Sequence, residues 1–306
     1  ARFPEGTLTF TRGCDAYSHI DGGVSAAVRA AREADVAVLT LGLPGNHSGE
    51  TSSMTSVELP QAQKELLAAV KATGKPVVVL LVTGRPMALE SVDELMDALL
   101  VVWHPGTAGG DALADLLSGD YSPSGHLTMS FPRCDGQIPI RYNYKSTGRP
   151  LTKEMDYTQS HKAKKNYQTC YLFTPNSPLY PFGYGLSYTQ FSFTDLQVLD
   201  PEVAMGEDVR VKVRVTNVGE VPGTTVAQLY IRDKVASTTR PVRELKGFER
   251  VSLEPGASAE VLFTITAADM AFCREDMKFA QEPGEFGLWV GESCEAELEG
   301  KFIVKE

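Results

Sequence analysis

The sequence predicts two folds in succession: an α/β sandwich on a mostly parallel sheet with helices on both faces, then an all-β sandwich. Three observations carry this. Residues 21–119 alternate helical and strand patterns, and the strand candidates among them are apolar on both faces. Beyond about residue 191 the period changes to two, with short strands parted by Gly and Pro turns. About seven such strands in roughly 115 residues suit an immunoglobulin-like or fibronectin-like sandwich.

The elements follow in order. Alanine-rich 21–34 predicts a helix, and "DVAVLTLG" (35–42) a buried strand. "PQAQKELLAAVKATG" (60–74) predicts a helix with Pro60 at its first position and Gly74 at its stop. Ala62, Leu66, Ala69, Val70 and Thr73 share its apolar face. Strand 76–82, a short helix near 91–97, strand 98–103 and helix 109–119 complete this half. In the second half, Val209, Val211, Val213 and Val215 alternate with Arg210, Lys212 and Arg214, the signature of a half-buried antiparallel strand. Strands are likewise expected at 191–199, 225–233, 258–266, 284–291 and 296–304. Between the halves lies an irregular stretch, polar over 153–168, whose aromatic end "LYPFGYGLSYTQF" (179–191) is expected to be pinned against a domain surface.

A chain of 306 residues is long enough for two cores. Its 42% hydrophobic and 22% charged content is that of a soluble globular protein. No apolar run approaches the roughly 20 residues of a membrane span, so no membrane partner is expected. The net charge of −10, with dispersed acids, argues against nucleic acid. Five widely spaced cysteines suggest free thiols and a cytoplasmic setting, with secreted or periplasmic as the alternative. The histidines and cysteines form no metal pattern, and no metal or cofactor is expected.

Ligands of open parallel sheets sit beyond the carboxyl ends of the strands. The long polar loop 43–59, "LPGNHSGETSSMTSVEL", starts at such an end. Glu50 and His47 are therefore its acid/base candidates, set against the bland reading of two solvated surface side chains. The Gly-rich turn in "WHPGTAGGDALADLL" (103–117) lacks a phosphate-loop spacing and reads as close packing rather than a nucleotide site. There is no G-x-S-x-G elbow. The aromatics of 179–193 could stack on a sugar or merely pack a junction. Asn46-His47-Ser48 is formally a glycosylation acceptor, without secretory support from the cysteines.

Several separated stretches resemble one family. "ETSSMTSVELPQAQKELLAAVKATGKPVVVLLVTGRPMAL" (50–89), "WHPGTAGGDALADLLSGDYSPSGHLTMSFPR" (103–133), "GQIPIRYNYKSTGRP" (136–150) and "LYPFGYGLSYTQF" look like the C-terminal half of glycoside hydrolase family 3, in its bacterial β-glucosidase branch. "RPVRELKGFERVSLEPG" (240–256) and "FAQEPGEFGLWVG" (279–291) are similar to that family's fibronectin type III-like domain. The resemblance implies an α/β sandwich domain over 1–135, N-terminally incomplete, an irregular connection over 136–190 and a fibronectin type III-like domain over 191–306. It also implies a retaining, exo-acting β-glycosidase acting on an oligosaccharide or β-glucoside. Glu50, just ahead of the "L-P-x-x-Q" helix start, matches the family's general acid/base glutamate. His47, Ser52 and Ser53 are then substrate-loop candidates. Retention needs two carboxyl groups roughly 5–5.5 Å apart, and a mobile loop from a second domain can close over the sugar.

The departures matter equally. Nothing ahead of residue 35 has room for the family's (β/α)8 barrel, and neither Trp103 nor Trp289 follows an aspartate as in its nucleophile motif. Met54 stands where bacterial relatives often have arginine. The expectation is a C-terminal part that donates Glu50 to a barrel it does not carry, has no nucleophile of its own, and can form a homodimer. The competing expectation is a non-catalytic carbohydrate-binding or scaffolding module.

Overall fold

The computed structural model describes residue 4, residues 7–151 and residues 167–306. The chain forms two compact units, one of residues 1–120 with 131–138, the other of 121–130 with 139–306. The polar stretch 153–168 lies almost wholly outside the described residues.

The first unit runs α1 (Gly23–Glu33), β1 (Ala37–Gly42), α2 (Gln61–Lys71), β2 (Val77–Val82), β3 (Ala98–Val101) and α3 (Gly109–Ser118). Its three strands form a parallel sheet in the order β1-β2-β3, with Ala37 opposite Val77 and Val78 opposite Ala98. The apolar stripe of α2 buries Ala62, Leu66 and Val70 as its spacing dictates, joined by Leu67 and Gln63, and α2 packs on α1 and β1. Asp97 ties the layers. Lys71 at the end of α2 donates to both its carboxylate oxygens at 2.7 Å, and the amide that opens β2 donates to one of them. These bonds hold the Asp97 carboxyl below the usual carboxylate range.

Several local expectations are corrected here. Pro60 is the extended residue before α2, not its first helical one, because its ψ of 146° lies outside the helix. Gly74 does take the left-handed conformation that stops the helix, at φ 80°. The helix expected near 91–97 shrinks to a single tight turn, Asp93–Leu95, too short a segment to propagate. β1 is not buried on both faces: Val38 is 46% exposed, since β1 is the edge strand and only central β2 is covered more fully.

The second unit begins its sheets with β4 (Phe191–Val198), β5 (Glu202–Ala204), β6 (Val209–Asn217), β7 (Gly223–Asp233), β8 (Glu244–Leu253) and β9 (Ser258–Ile265). A one-turn helix, Ala267–Met270, follows, closed by reciprocal Thr266 and Asp269 capping bonds. A short hairpin of β10 (Phe272–Cys273) and β11 (Phe279–Ala280) leads to β12 (Gly284–Gly291) and β13 (Leu298–Lys305). One sheet has the order β5-β13-β12-β7-β8, antiparallel except for β5 with β13; the other is antiparallel β4-β6-β9. Both contribute to one core: the four alternate valines of β6 are fully buried and share a cluster with Leu229, Phe263, Phe286, Leu288 and Phe302. Strand β8 was not foreseen. Of its ten residues only Val251 is buried, so its sequence does not alternate.

The aromatic segment 179–191 is held against this unit. Gly183 donates to Leu127 O at 2.7 Å and Leu127 to Tyr184 O at 2.8 Å. Phe182 stacks on Tyr142 with centroids 4.1 Å apart. Buried Gln228 donates to Gly183 O and Glu292 O, and accepts from the Tyr230 hydroxyl. These contacts anchor Phe182, Gly183 and Tyr184, while Leu186 and Tyr188 further along stay exposed.

Candidate functional site

The three parallel strands of the first unit deliver three loops to their carboxyl ends: 43–59 after β1, Thr83–Pro86 after β2 and Trp103–His104 after β3. The first is tied down at both ends. Leu43 and Leu59 are each 2% exposed, and Leu43 donates to Val82 O at 2.8 Å. Near the far end, Val57 donates to the Asp135 carboxylate at 2.8 Å and accepts from Ala88 at 3.0 Å.

Between these anchors the loop makes two tight turns. His47 donates to Pro44 O at 2.9 Å, and Ser52 donates to Gly49 O at 3.3 Å. Glu50 and Thr51 are the central residues of the second turn, and Thr51 sits at φ 61°. A β-branched residue rarely adopts that conformation, where Gly or Asn is the usual occupant. Glu50 is exposed, and its carboxylate pairs with nothing among the described residues.

The other foreseen residues are brought into the same loop but not to the same task. His47 is half-buried; its Nδ1 meets the Tyr17 hydroxyl at 2.7 Å and its ring stacks on Tyr17 at 5.1 Å. The Ser52 hydroxyl donates back to Asn46 O at 3.3 Å. Ser53 is exposed.

Residues not singled out in the sequence brace the loop. Arg85 Nη2 donates to the carbonyls of His47 and Ser52, one on each side of Glu50. Gly84 lets the loop approach β2: a Cβ there would stand 2.2 Å from Ser48 Oγ and 3.0 Å from His104 Nε2. The available signal was "TGRP" directly after the apolar run 76–82. Among the described residues, no group of three or more His, Cys, Asp or Glu side chains is arranged to hold a metal ion, and no helix is long and apolar enough to cross a membrane. The arrangement therefore leaves the Glu50 carboxylate free on a braced loop, open to a group brought to it.

The profile of the glycosyl hydrolase family 3 C-terminal domain matches residues 4–188, and that of a fibronectin type III-like domain matches residues 225–294. A periplasmic beta-glucosidase of Salmonella typhimurium is 44% identical over 91% of this chain and 35% of its own length. A beta-xylosidase of Formosa agariphila is 37% identical over 95% of this chain and 38% of its own length. Among solved structures, a beta-glucosidase from Listeria innocua in complex with glucose superposes with a TM-score of 0.88 at 39% identity, covering 95% of this chain and 39% of that one. The chain thus spans little more than a third of the length of each of these relatives. The chain belongs to glycosyl hydrolase family 3: it carries the family's C-terminal domain and, after it, a fibronectin type III-like domain.

Proposed function

We propose that this chain supplies the proton-transfer part of a retaining, exo-acting β-glycosidase of the β-glucosidase type, with Glu50 as general acid/base. The observation that carries this is the loop itself. It is anchored at both ends, clamped at its waist by Arg85, and leaves the Glu50 carboxylate outward and unpaired at the carboxyl end of a parallel sheet. In this reading Glu50 protonates the leaving oxygen of a terminal β-linked sugar, then takes a proton from the water that releases the sugar. The carboxylate that attacks the anomeric carbon lies outside this chain, in the rest of the full-length protein. Ser53, exposed beside Glu50, is free to meet the substrate, while His47 and Ser52 shape the loop around it.

Relatives named beta-glucosidase and beta-xylosidase support the substrate class. In the full-length protein, Glu50→Ala is expected to lower kcat/KM for alkyl β-glucosides by about 10²–10⁴-fold, and substrates with good leaving groups much less. An unchanged rate on alkyl glucosides would remove Glu50 from this role.

The competing module reading rests on a cleft in the second unit of about 240 Å³, lined by Ser124, His126, Ser187, Phe191, Thr224 and Glu292. Calorimetry of this chain with cellobiose and longer glucans tests it, and binding would favour the module. We further propose an α/β sandwich over 1–135 with helices on both sheet faces, a connection over 136–190 and the fibronectin-like sandwich over 191–306. A homodimer and a reducing, cytoplasmic compartment complete the proposal; sedimentation and the thiol state of the cellular protein test these.

A further inference from the structure

We propose that Arg85 is the positioning residue of the acid/base loop: it holds the Gly49–Ser52 turn in the left-handed form that presents Glu50. This rests on the reading of Glu50 given above. The turn is closed only by long bonds, Ser52 N to Gly49 O at 3.3 Å and Ser52 Oγ to Glu50 O at 3.5 Å, and it holds Thr51 at φ 61°. For a β-branched side chain this is strained, so a free loop would relax and carry Glu50 away. A strained residue persists only where its surroundings over-determine it.

Arg85 supplies that constraint. Its Nη2 donates to Ser52 O at 3.1 Å, at the exit of the turn, and to His47 O, before its entry. The guanidinium thereby fixes the backbone on both sides of Glu50 and the strained Thr51. Arg85 is itself rigidly based. Its amide donates to Thr83 Oγ1 at 3.2 Å, its carbonyl accepts from the same hydroxyl at 2.8 Å, and Thr83 is fully buried at the end of β2. Pro86 follows and restricts the backbone further. The planar guanidinium is suited to bridging two fixed carbonyls, and a lysine ammonium on its flexible stem does not reproduce that geometry.

The test uses the full-length protein and compares kcat/KM on two substrate classes. Aryl β-glycosides with good leaving groups need little proton donation, whereas alkyl β-glycosides need it fully. Arg85→Lys is expected to lose about 10–100-fold on alkyl substrates, the size of effect a small misplacement of a reacting group produces, and to stay near wild type on activated aryl substrates. Thr51→Gly, which accepts φ 61° without strain, is expected to recover most of that loss when combined with Arg85→Lys.

Equal losses on both classes, no loss at all, or no recovery by Thr51→Gly would overturn the proposal. Thr83→Val gives a second route if Arg85→Lys folds poorly. It releases the backbone of Arg85 and should show the same leaving-group selectivity at smaller size; wild-type selectivity there counts against the proposal. The two readings fail separately. If Glu50→Ala is impaired on alkyl substrates while Arg85→Lys is not, only the positioning role falls. If Glu50→Ala is unimpaired, the function of the loop falls first.

Discussion

The side-chain amide of Gln63, on α2, closes on both backbone groups of Gly42, the last residue of β1: it accepts from Gly42 N at 2.7 Å and donates to Gly42 O at 2.8 Å. It also donates to Ala16 O at 2.8 Å. The end of β1 is thus secured by a helix side chain where the candidate loop departs. Gln63 is 4% exposed, so Gln63→Leu would leave buried backbone groups unpaired, each costing about 1–3 kcal/mol. Urea unfolding should show a loss of that order, and local hydrogen exchange should rise at 42–44.

Gly42 itself admits no side chain. A Cβ there would stand 1.9 Å from Val82 O, and its φ of 130° suits glycine. Gly42→Ala is expected to disrupt β1–β2 pairing and lower the melting temperature of the protein. A melting curve identical to wild type would contradict the register of Gly42 against Val82.

In the second unit, Phe286 and Phe302 stack at 5.0 Å on paired strands and are both 1% exposed. Phe286→Ala should cost about 3–5 kcal/mol by combining lost burial with a cavity. Chemical denaturation monitored at this unit checks it.

Asp233 gives a pH signature. Burial above all, opposed by the Val235 amide and Arg240 and aided by Glu282 and Glu244, leaves its carboxyl pushed up to about 6. A carboxyl with a raised folded value holds its proton more tightly when folded. Stability is therefore highest below the unfolded value near 4 and falls as pH rises from there through 6. Asp233→Asn should flatten this fall, with a gain at pH 7 bounded by about 3 kcal/mol and little change at pH 4. Melting temperatures of both proteins across pH 4–8 read this out. A slope of the opposite sign would refute it.

The thiols should react in an order set by burial. Cys273 is exposed, whereas burial pushes the Cys294 thiol up to about 11. Since the thiolate is the nucleophile, alkylation followed by mass spectrometry should label Cys273 early and Cys294 only on unfolding.

What was legible in the sequence was periodic. The valines of β6 announced both a strand and its buried face, because a side chain repeats every second residue only in extended chain. The α2 stripe was equally plain. What escaped lacked a period or depended on distant partners. β8 has three consecutive exposed residues and pairs through a bulge against Leu229 and Tyr230. Segment 121–130 packs with the second unit through Leu127, which no local pattern foretells. Around the candidate site, Glu50 stood out by its place after a strand and by family resemblance. Arg85 did not, since its two acceptors are backbone carbonyls 38 and 33 residues away. Backbone acceptors leave no trace in side-chain sequence.

The most direct measurement of the central claim is the reaction of full-length Glu50→Ala with an activated aryl β-glucoside in the presence of azide. If Glu50 is the acid/base of a retaining enzyme, water attack on the glycosyl intermediate is slow, azide restores turnover without needing a base, and the product is the β-glycosyl azide. Wild-type hydrolysis rates without azide, or a lost activity that azide neither restores nor diverts to the β-azide, would contradict it.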